Sequence, residues 1–248
     1  MNISAQYLER TYLLSGDNMI FVTGDTHRKM DIQKLEPDFF TEQVLLTRDD
    51  YLIIAGDFGG IWTGDSDDDE ILNYHENKTY TTLFVAGNHE NYDALNKYPV
   101  IEWNGGLVHK IRDHVFHLMN GQIFNLDGKT FFTMGGATSV DKMYRVEHQT
   151  WWPQEEPDGA DYVTAFNNLA KYGNKVDYII THTVPEKVRK TAFAPMKDFI
   201  DYDSAVERFL DMIVEEVDYK KWFAGHIHID REIPDWNIRI LYNSVVII

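Results

Sequence analysis

Seven residues with metal-ligand chemistry recur in one setting along this chain. Phe21-Val22-Thr23-Gly24 precedes Asp25-Thr26-His27, and Leu52-Ile53-Ile54-Ala55-Gly56 precedes Asp57. Thr82 to Gly87 precedes Asn88-His89-Glu90, Tyr178-Ile179-Ile180-Thr181 precedes His182, and Phe223-Ala224-Gly225 precedes His226-Ile227-His228. Imidazole, carboxylate and amide oxygens of this kind suit Mn, Fe, Zn or Ni rather than Ca. Two such ions roughly 3.5–4 Å apart clamp the attacking and leaving oxygens of a phosphoryl compound. His89, in the same turn as Asn88, has a side chain whose pKa suits proton transfer near neutrality.

Each apolar run reads as a short buried strand. In α/β sheets, ligands bind outside the carboxyl ends of the strands, which is where all five motifs fall. Between them the chain alternates strand and helix signals. Asp31 to Leu46 has roughly helical apolar spacing, interrupted by Pro37. The acidic run Asp67-Asp68-Asp69-Glu70 predicts a helix start, because carboxylates are favoured at helix N-termini. Asp161 to Tyr172 predicts a helix ended by Gly173, and Asp203 to Val217 an amphipathic one. From Val100 to Gly135, short β-rich runs are separated by turns such as Asn120-Gly121 and Asp127-Gly128, strong hairpin signals. This meander predicts a second sheet, which the tail runs Glu232-Ile233, Ile238 to Tyr242 and Val245 to Ile248 would close. The expected fold is α/β, two packed mixed β-sheets flanked by helices, as one domain over residues 1–248.

Composition narrows the class. The 248 residues carry 23 basic and 40 acidic side chains, a net charge of −17. No broad duplex nucleic-acid-binding surface is expected from that balance, since such binding rests on neutralising phosphates. There is no cysteine, which excludes disulfides, thiol catalysis and Cys-ligated metals. No apolar run approaches the ~20 residues that span a bilayer. No signal peptide is read at the N-terminus, so a cytoplasmic protein without a membrane partner is expected.

Taken in order, Asp25-x-His27, Gly56-Asp57, Gly87-Asn88-His89-Glu90, Thr181-His182 and Gly225-His226-x-His228 resemble the motifs of the calcineurin-like metallophosphoesterase family. The resemblance runs from Gly24 to His228. It implies a pair of sheets flanked by helices and two divalent metal ions, with Mn favoured. The first ion would take Asp25, His27, Asp57 and His228. The second would take Asp57, Asn88, His182 and His226, so Asp57 would bridge. It also implies attack of a metal-bridged hydroxide on a phosphate ester, with His89 as general acid. Protein phosphatases of this family place Asp and Arg after the second motif. Here that stretch reads Gly56-Asp57-Phe58-Gly59-Gly60-Ile61-Trp62, without the Arg.

Substrate contacts are expected from Arg145, in the long Gly, Pro and Trp-rich loop from Gly135 to Asp158, from Arg28 beside His27, and from Asn88. A guanidinium can grip phosphate with two parallel hydrogen bonds. Trp151-Trp152 read equally as a pocket wall or as packing, and Glu90 as a carboxylate orienting a histidine. The other histidines, 75, 109, 114, 117 and 148, read as structural. The expected activity is hydrolysis of a phosphodiester or nucleotide-like ester. A phosphomonoesterase or protein phosphatase of the same fold is the alternative within the class. A metal-binding interaction module without turnover is the alternative outside it, and an intact His89 argues against that module.

Overall fold

Thirteen strands form among the described residues, numbered in chain order. They are β1 (Ile20–Thr23), β2 (Tyr51–Ala55), β3 (Thr81–Val85), β4 (Val100–Trp103), β5 (Gly106–Lys110), β6 (Val115–Leu118) and β7 (Gln122–Leu126). After them come β8 (Lys129–Met134), β9 (Tyr178–Thr181), β10 (Lys221–Ala224), β11 (Arg231–Ile233), β12 (Ile238–Ile240) and β13 (Val246–Ile247). One sheet has the order β13-β1-β2-β3-β6-β5-β4 and the other β11-β12-β10-β9-β8-β7. The structure is a computed structural model and describes residues 17–193 and 202–248. The first residues, up to about Leu14, which read from the sequence as a helical or strand-like extension, lie outside them.

The motif-bearing strands run parallel: β1 with β2, β2 with β3, and β9 with β10. Parallel strands are buried on both faces, which is why their sequences are unbroken apolar runs. In β2, Ile53 and Ala55 point between the sheets, towards Phe131, Ile180 and Phe223. Ile54 and Leu52 point outward, to Phe58 and Leu72 and to Phe21 and Ile71. The outer faces are covered by helices: α1 (Ser66–Glu76), α2 (Tyr92–Leu95), α3 (Gly159–Lys171), α4 (Glu186–Ala192) and α5 (Ala205–Glu216). The second sheet packs Ile179 and Trp222 against Leu169, Phe209, Leu210 and Ile213, which gives the expected two-sheet sandwich flanked by helices. Helix starts use the local chemistry that carboxylate and hydroxyl side chains provide. Asp65, Asp158 and Ser204 accept backbone N–H groups of α1, α3 and α5.

Three expectations are corrected. The meander is not one sheet: β4, β5 and β6 extend the first sheet, and only β7 and β8 begin the second. Likewise β13 leaves the tail to pair antiparallel with β1. In both cases the hairpin signal gives local pairing, while long-range register decides the sheet. Asp31 to Leu46 is two short 3₁₀ turns, Ile32–Leu35 and Thr41–Leu45, because Pro37 lacks the N–H that a helix continuing through it would need.

The sandwich brings the carboxyl ends of β1, β2, β3, β9 and β10 together. The Asp57 carbonyl accepts the N–H groups of Thr26 and His27 at 3.0 and 2.9 Å, and the His182 carbonyl accepts Gly225 N–H at 2.8 Å.

Candidate metal centre

Asp25 and His27 follow β1, Asp57 follows β2, and His228 stands four residues after β10. Each presents one ligand atom, and these atoms all lie within 4.8 Å of one another. Asp57 is the hub. One carboxylate oxygen, Oδ2, is 3.1 Å from His27 Nε2. The other, Oδ1, is 3.3 Å from His182 Nε2 and accepts the backbone N–H of His89 at 2.8 Å. Asp25 accepts the His226 N–H at 3.1 Å on both oxygens, and the His182 and His226 rings meet edge to face at 5.0 Å.

The backbone is strained where the ligands sit. His27, Asp57, His226 and His228 all have left-handed φ, at 41°, 47°, 66° and 54°. Non-glycine residues rarely adopt this region, and such strain gathers at functional sites. Close approach explains two of the glycines. A Cβ at Gly87 would lie 2.0 Å from Asp57 Oδ1, and one at Gly56 would lie 2.0 Å from His182 Nδ1.

The donor set fits divalent cations. His182 Nδ1 donates to the Ala55 carbonyl at 2.9 Å, which turns Nε2 to the centre, the orientation a metal-binding histidine needs. Asn88 Oδ1 lies 3.1 Å from that Nε2, and its Nδ2 donates away to Ser139 Oγ at 3.1 Å. The oxygen, not the amide nitrogen, therefore faces inward. His27 is held similarly, its Nδ1 donating to Asp31 Oδ2 at 2.7 Å.

The carboxylates and imidazoles of this cluster shift one another's proton affinities. Burial pushes the Asp57 carboxyl up, but the charge of His182 and hydrogen bonds from His182 and His27 hold it well below the usual carboxylate range. Burial lowers His182, yet Asp57 and Asp25 raise it to about 9. His27 is raised against its burial by Asp57, Asp25 and Asp31. His226 goes the other way, to about 3, through burial and the neighbouring charge of His182.

A cleft of about 430 Å³ opens over this cluster, lined by Asp57, Asn88, His89, Ser139, Arg145, Tyr202, His226 and His228 among others. Arg145 enters it from the long loop, its Nη2 3.3 Å from His89 Nε2 and its Nε 2.9 Å from Asp141 Oδ1. Arg28 does not line this cleft. It donates to Asp68 Oδ1 at 2.8 Å and to the Asp67 carbonyl at 3.0 Å, in the neighbouring depression beside His27.

Several residues around the centre carry other roles than their sequence context suggests. Glu90 does not orient a histidine. Its Oε1 accepts Gly59 N–H at 3.2 Å, and burial pushes its carboxyl well above the usual range. Trp152 is core, donating from its indole to Asp93 at 3.0 Å. The indole beside His89 is that of Trp62, with centroids 6.2 Å apart. Sequence reasoning missed Ser139, Glu155, Asp31 and Tyr242. Ser139 bridges Asn88 to Glu155, donating to Glu155 Oε2 at 2.5 Å. None of the four belongs to a motif, and the long loop marked only the places of Ser139 and Glu155.

The sequence profile of the family described as calcineurin-like phosphoesterase matches residues 19–230. The chain belongs to the calcineurin-like phosphoesterase family. As a calcineurin-like phosphoesterase it is a metal-dependent hydrolase of phosphoric esters, and its Asp and His cluster has the ligand atoms to hold a metal ion. No curated protein matches the chain. Among solved structures, this phosphoesterase is similar to a phosphopantetheinyl hydrolase from Mycobacterium tuberculosis, with 15% identity over 91% of this chain and 88% of the other, at a TM-score of 0.42. It is also similar to a cold-active protein-tyrosine phosphatase of a Shewanella species, with 12% identity over 92% and 72%, at a TM-score of 0.35. No helix among the described residues is long and apolar enough to cross a membrane.

Proposed function

We propose that this phosphoesterase is dinuclear and hydrolyses a phosphodiester or nucleotide-like ester. The observation that carries the reading is the position of His89 and Arg145 in one cleft directly over the Asp57 hub. In this reading Asp25, His27, Asp57 and His228 hold one ion, and Asp57, Asn88, His182 and His226 hold the other. Mn²⁺ is the ion proposed for both. When bound, such ions neutralise phosphoryl oxygens and make water nucleophilic near neutral pH.

The protein's own groups do the rest. Asp57 bridges the two positions, and its Oδ1 fixes the backbone of His89 at 2.8 Å, so metal ligation and proton transfer share one anchor. Arg145 binds a phosphoryl oxygen. His89 takes a proton from solvent and gives it from Nε2 to the leaving ester oxygen, a step worth about 10²–10⁴-fold. Arg145 is the one Lys or Arg lining the cleft among the described residues, and Asp141 partly neutralises it. So little spare positive charge suits a monoanionic diester better than a dianionic monoester.

Purified protein with Mn²⁺ is expected to give a higher kcat/KM on bis-p-nitrophenyl phosphate than on p-nitrophenyl phosphate. The reverse order would replace the diester reading by the monoester one. No turnover with Mn²⁺, Fe²⁺, Zn²⁺ or Ni²⁺ would favour a binding module.

A further inference from the structure

His27 and His228 reach the first proposed ion position from opposite ends of the chain, and one side chain supports both. Tyr242 Oη donates to Asp31 Oδ1 at 2.8 Å, while Asp31 Oδ2 accepts from His27 Nδ1 at 2.7 Å. The Tyr242 ring also lies flat on the His228 ring, with centroids 4.8 Å apart and planes within 12°. His228 is 47% exposed and has left-handed φ, so its orientation depends on contacts such as this one.

Tyr242 is itself firmly placed. The N–H groups of Tyr242, Asn243 and Ser244 donate to the Asp230 carboxylate at 3.0, 3.1 and 3.1 Å. Its carbonyl accepts from the buried Lys34 Nζ, which also donates to the Asp25 carbonyl at 2.5 Å. The turn at Tyr242 is thereby tied to the loop that carries Asp25 and His27.

We propose that Tyr242 is a positioning residue for the first ion, acting on His27 through Asp31 and on His228 by stacking. The inference rests on the ligand assignment made above. The hydroxyl occupies one oxygen of Asp31, so the carboxylate keeps its other oxygen on His27 Nδ1 and leaves Nε2 as the ligand atom. The ring keeps His228 Nε2 facing Asp25, from which it is 3.5 Å. Partners of this kind are worth about 10–100-fold in metal affinity.

The test is titration of metal-free protein with Mn²⁺, following free Mn²⁺ by electron paramagnetic resonance. On a His226→Ala background, where the first position is the intact one, Tyr242→Phe is expected to weaken binding about 10-fold. Tyr242→Leu, which also removes the stacking ring, is expected to weaken it further. On a His228→Ala background, Tyr242→Phe is expected to leave the affinity of the second position unchanged. Circular dichroism and melting of the metal-free variants report whether the fold is intact. Equal weakening on both backgrounds, or none on either, would overturn the proposal. Wild-type protein that binds fewer than two Mn²⁺ per chain would overturn the ligand assignment first, and the role of Tyr242 with it.

Discussion

Arg145 Nη2 lies 3.3 Å from His89 Nε2. A guanidinium has no acceptor, so in the resting protein His89 Nε2 accepts and the ring is neutral. Burial lowers the His89 pKa first, and Arg145 lowers it further against the pull of Asp57. A general acid must hold its proton, so activity is expected to fall as pH rises through the His89 pKa. Arg145→Ala removes a lowering charge. The His89 pKa should then rise, moving the basic limb of the kcat/KM profile to higher pH while KM for the ester increases. Imidazole NMR titration of metal-free protein gives the pKa independently, and an unchanged value would show that the contact has no electrostatic consequence.

Asp57 and His182 set the behaviour of the protein when metal is removed. The His182 pKa is raised from 6.5 to about 9 in the folded state. Its contribution to stability is therefore complete below pH 6.5 and is lost as pH rises through 9. Chelated protein should lose on the order of 1–3 kcal/mol over that window. Bound metal needs the neutral imidazole, so metal binding displaces the proton. The rise in Tm on adding Mn²⁺ should thus be larger at pH 8.5 than at pH 6.5. In Asp57→Asn the chelated protein should show a flatter pH dependence and bind less metal at both positions. Calorimetry with and without chelator would decide, and an equal Mn²⁺ effect at both pH values would contradict the assignment.

The candidate cluster was legible because each motif combines a strand with an abrupt change of residue type. Ile54-Ala55-Gly56-Asp57 is buried apolar chain that stops at a glycine where His182 leaves no room for a Cβ. What surrounds the ligands was not legible. Asp31 and Tyr242 meet across 211 residues, and Ser139 and Asn88 across 51. Neither pair has a local pattern, since a carboxylate or hydroxyl in a turn looks the same whether or not a histidine lies beyond it. Sequence offered both Arg28, beside the first motif, and Arg145, in the long loop, as phosphate contacts. Asp68, whose backbone contacts with Trp62, Thr63 and Gly64 fix it beside Arg28, is what separates them in space.

Ser139→Ala tests the link from the long loop to Asn88. Ser139 Oγ accepts from Asn88 Nδ2 and donates to Glu155 Oε2, and burial pushes Glu155 up to about 7 against hydrogen bonds from Ser139 and Trp152. Without the hydroxyl, the Asn88 amide loses the partner that turns its oxygen inward, and the buried Glu155 oxygen loses its donor. The variant should bind the second Mn²⁺ about 10-fold more weakly and lose about 1–3 kcal/mol of stability. Isothermal titration and urea unfolding measure the two effects. A variant with unaltered Mn²⁺ affinity would show that Asn88 is oriented without Ser139.

His75 is expected to govern acid stability from outside the centre. It lies buried on α1 against Phe58, with ring centroids 4.8 Å apart, and its Nε2 has no hydrogen-bond partner among the described residues. Burial, with a smaller effect of Lys78, lowers its pKa from 6.5 to about 3. The folded state therefore refuses a proton that the unfolded chain accepts. Its contribution is complete above pH 6.5 and declines as pH falls towards 3. At pH 5 the unfolded state gains about 2 kcal/mol from this one group. His75→Phe keeps a ring against Phe58 and removes the titration. The variant should match wild type near pH 8 but exceed it at pH 5 by about 2 kcal/mol, or about 4–8 °C in Tm for a domain of this size. Both proteins keep an acid slope from the buried pair His109 and His117, whose pKa values are also lowered, first by burial. The comparison is therefore the difference between the two proteins at each pH. If that difference does not grow between pH 8 and pH 5, His75 is not the group whose protonation opposes folding.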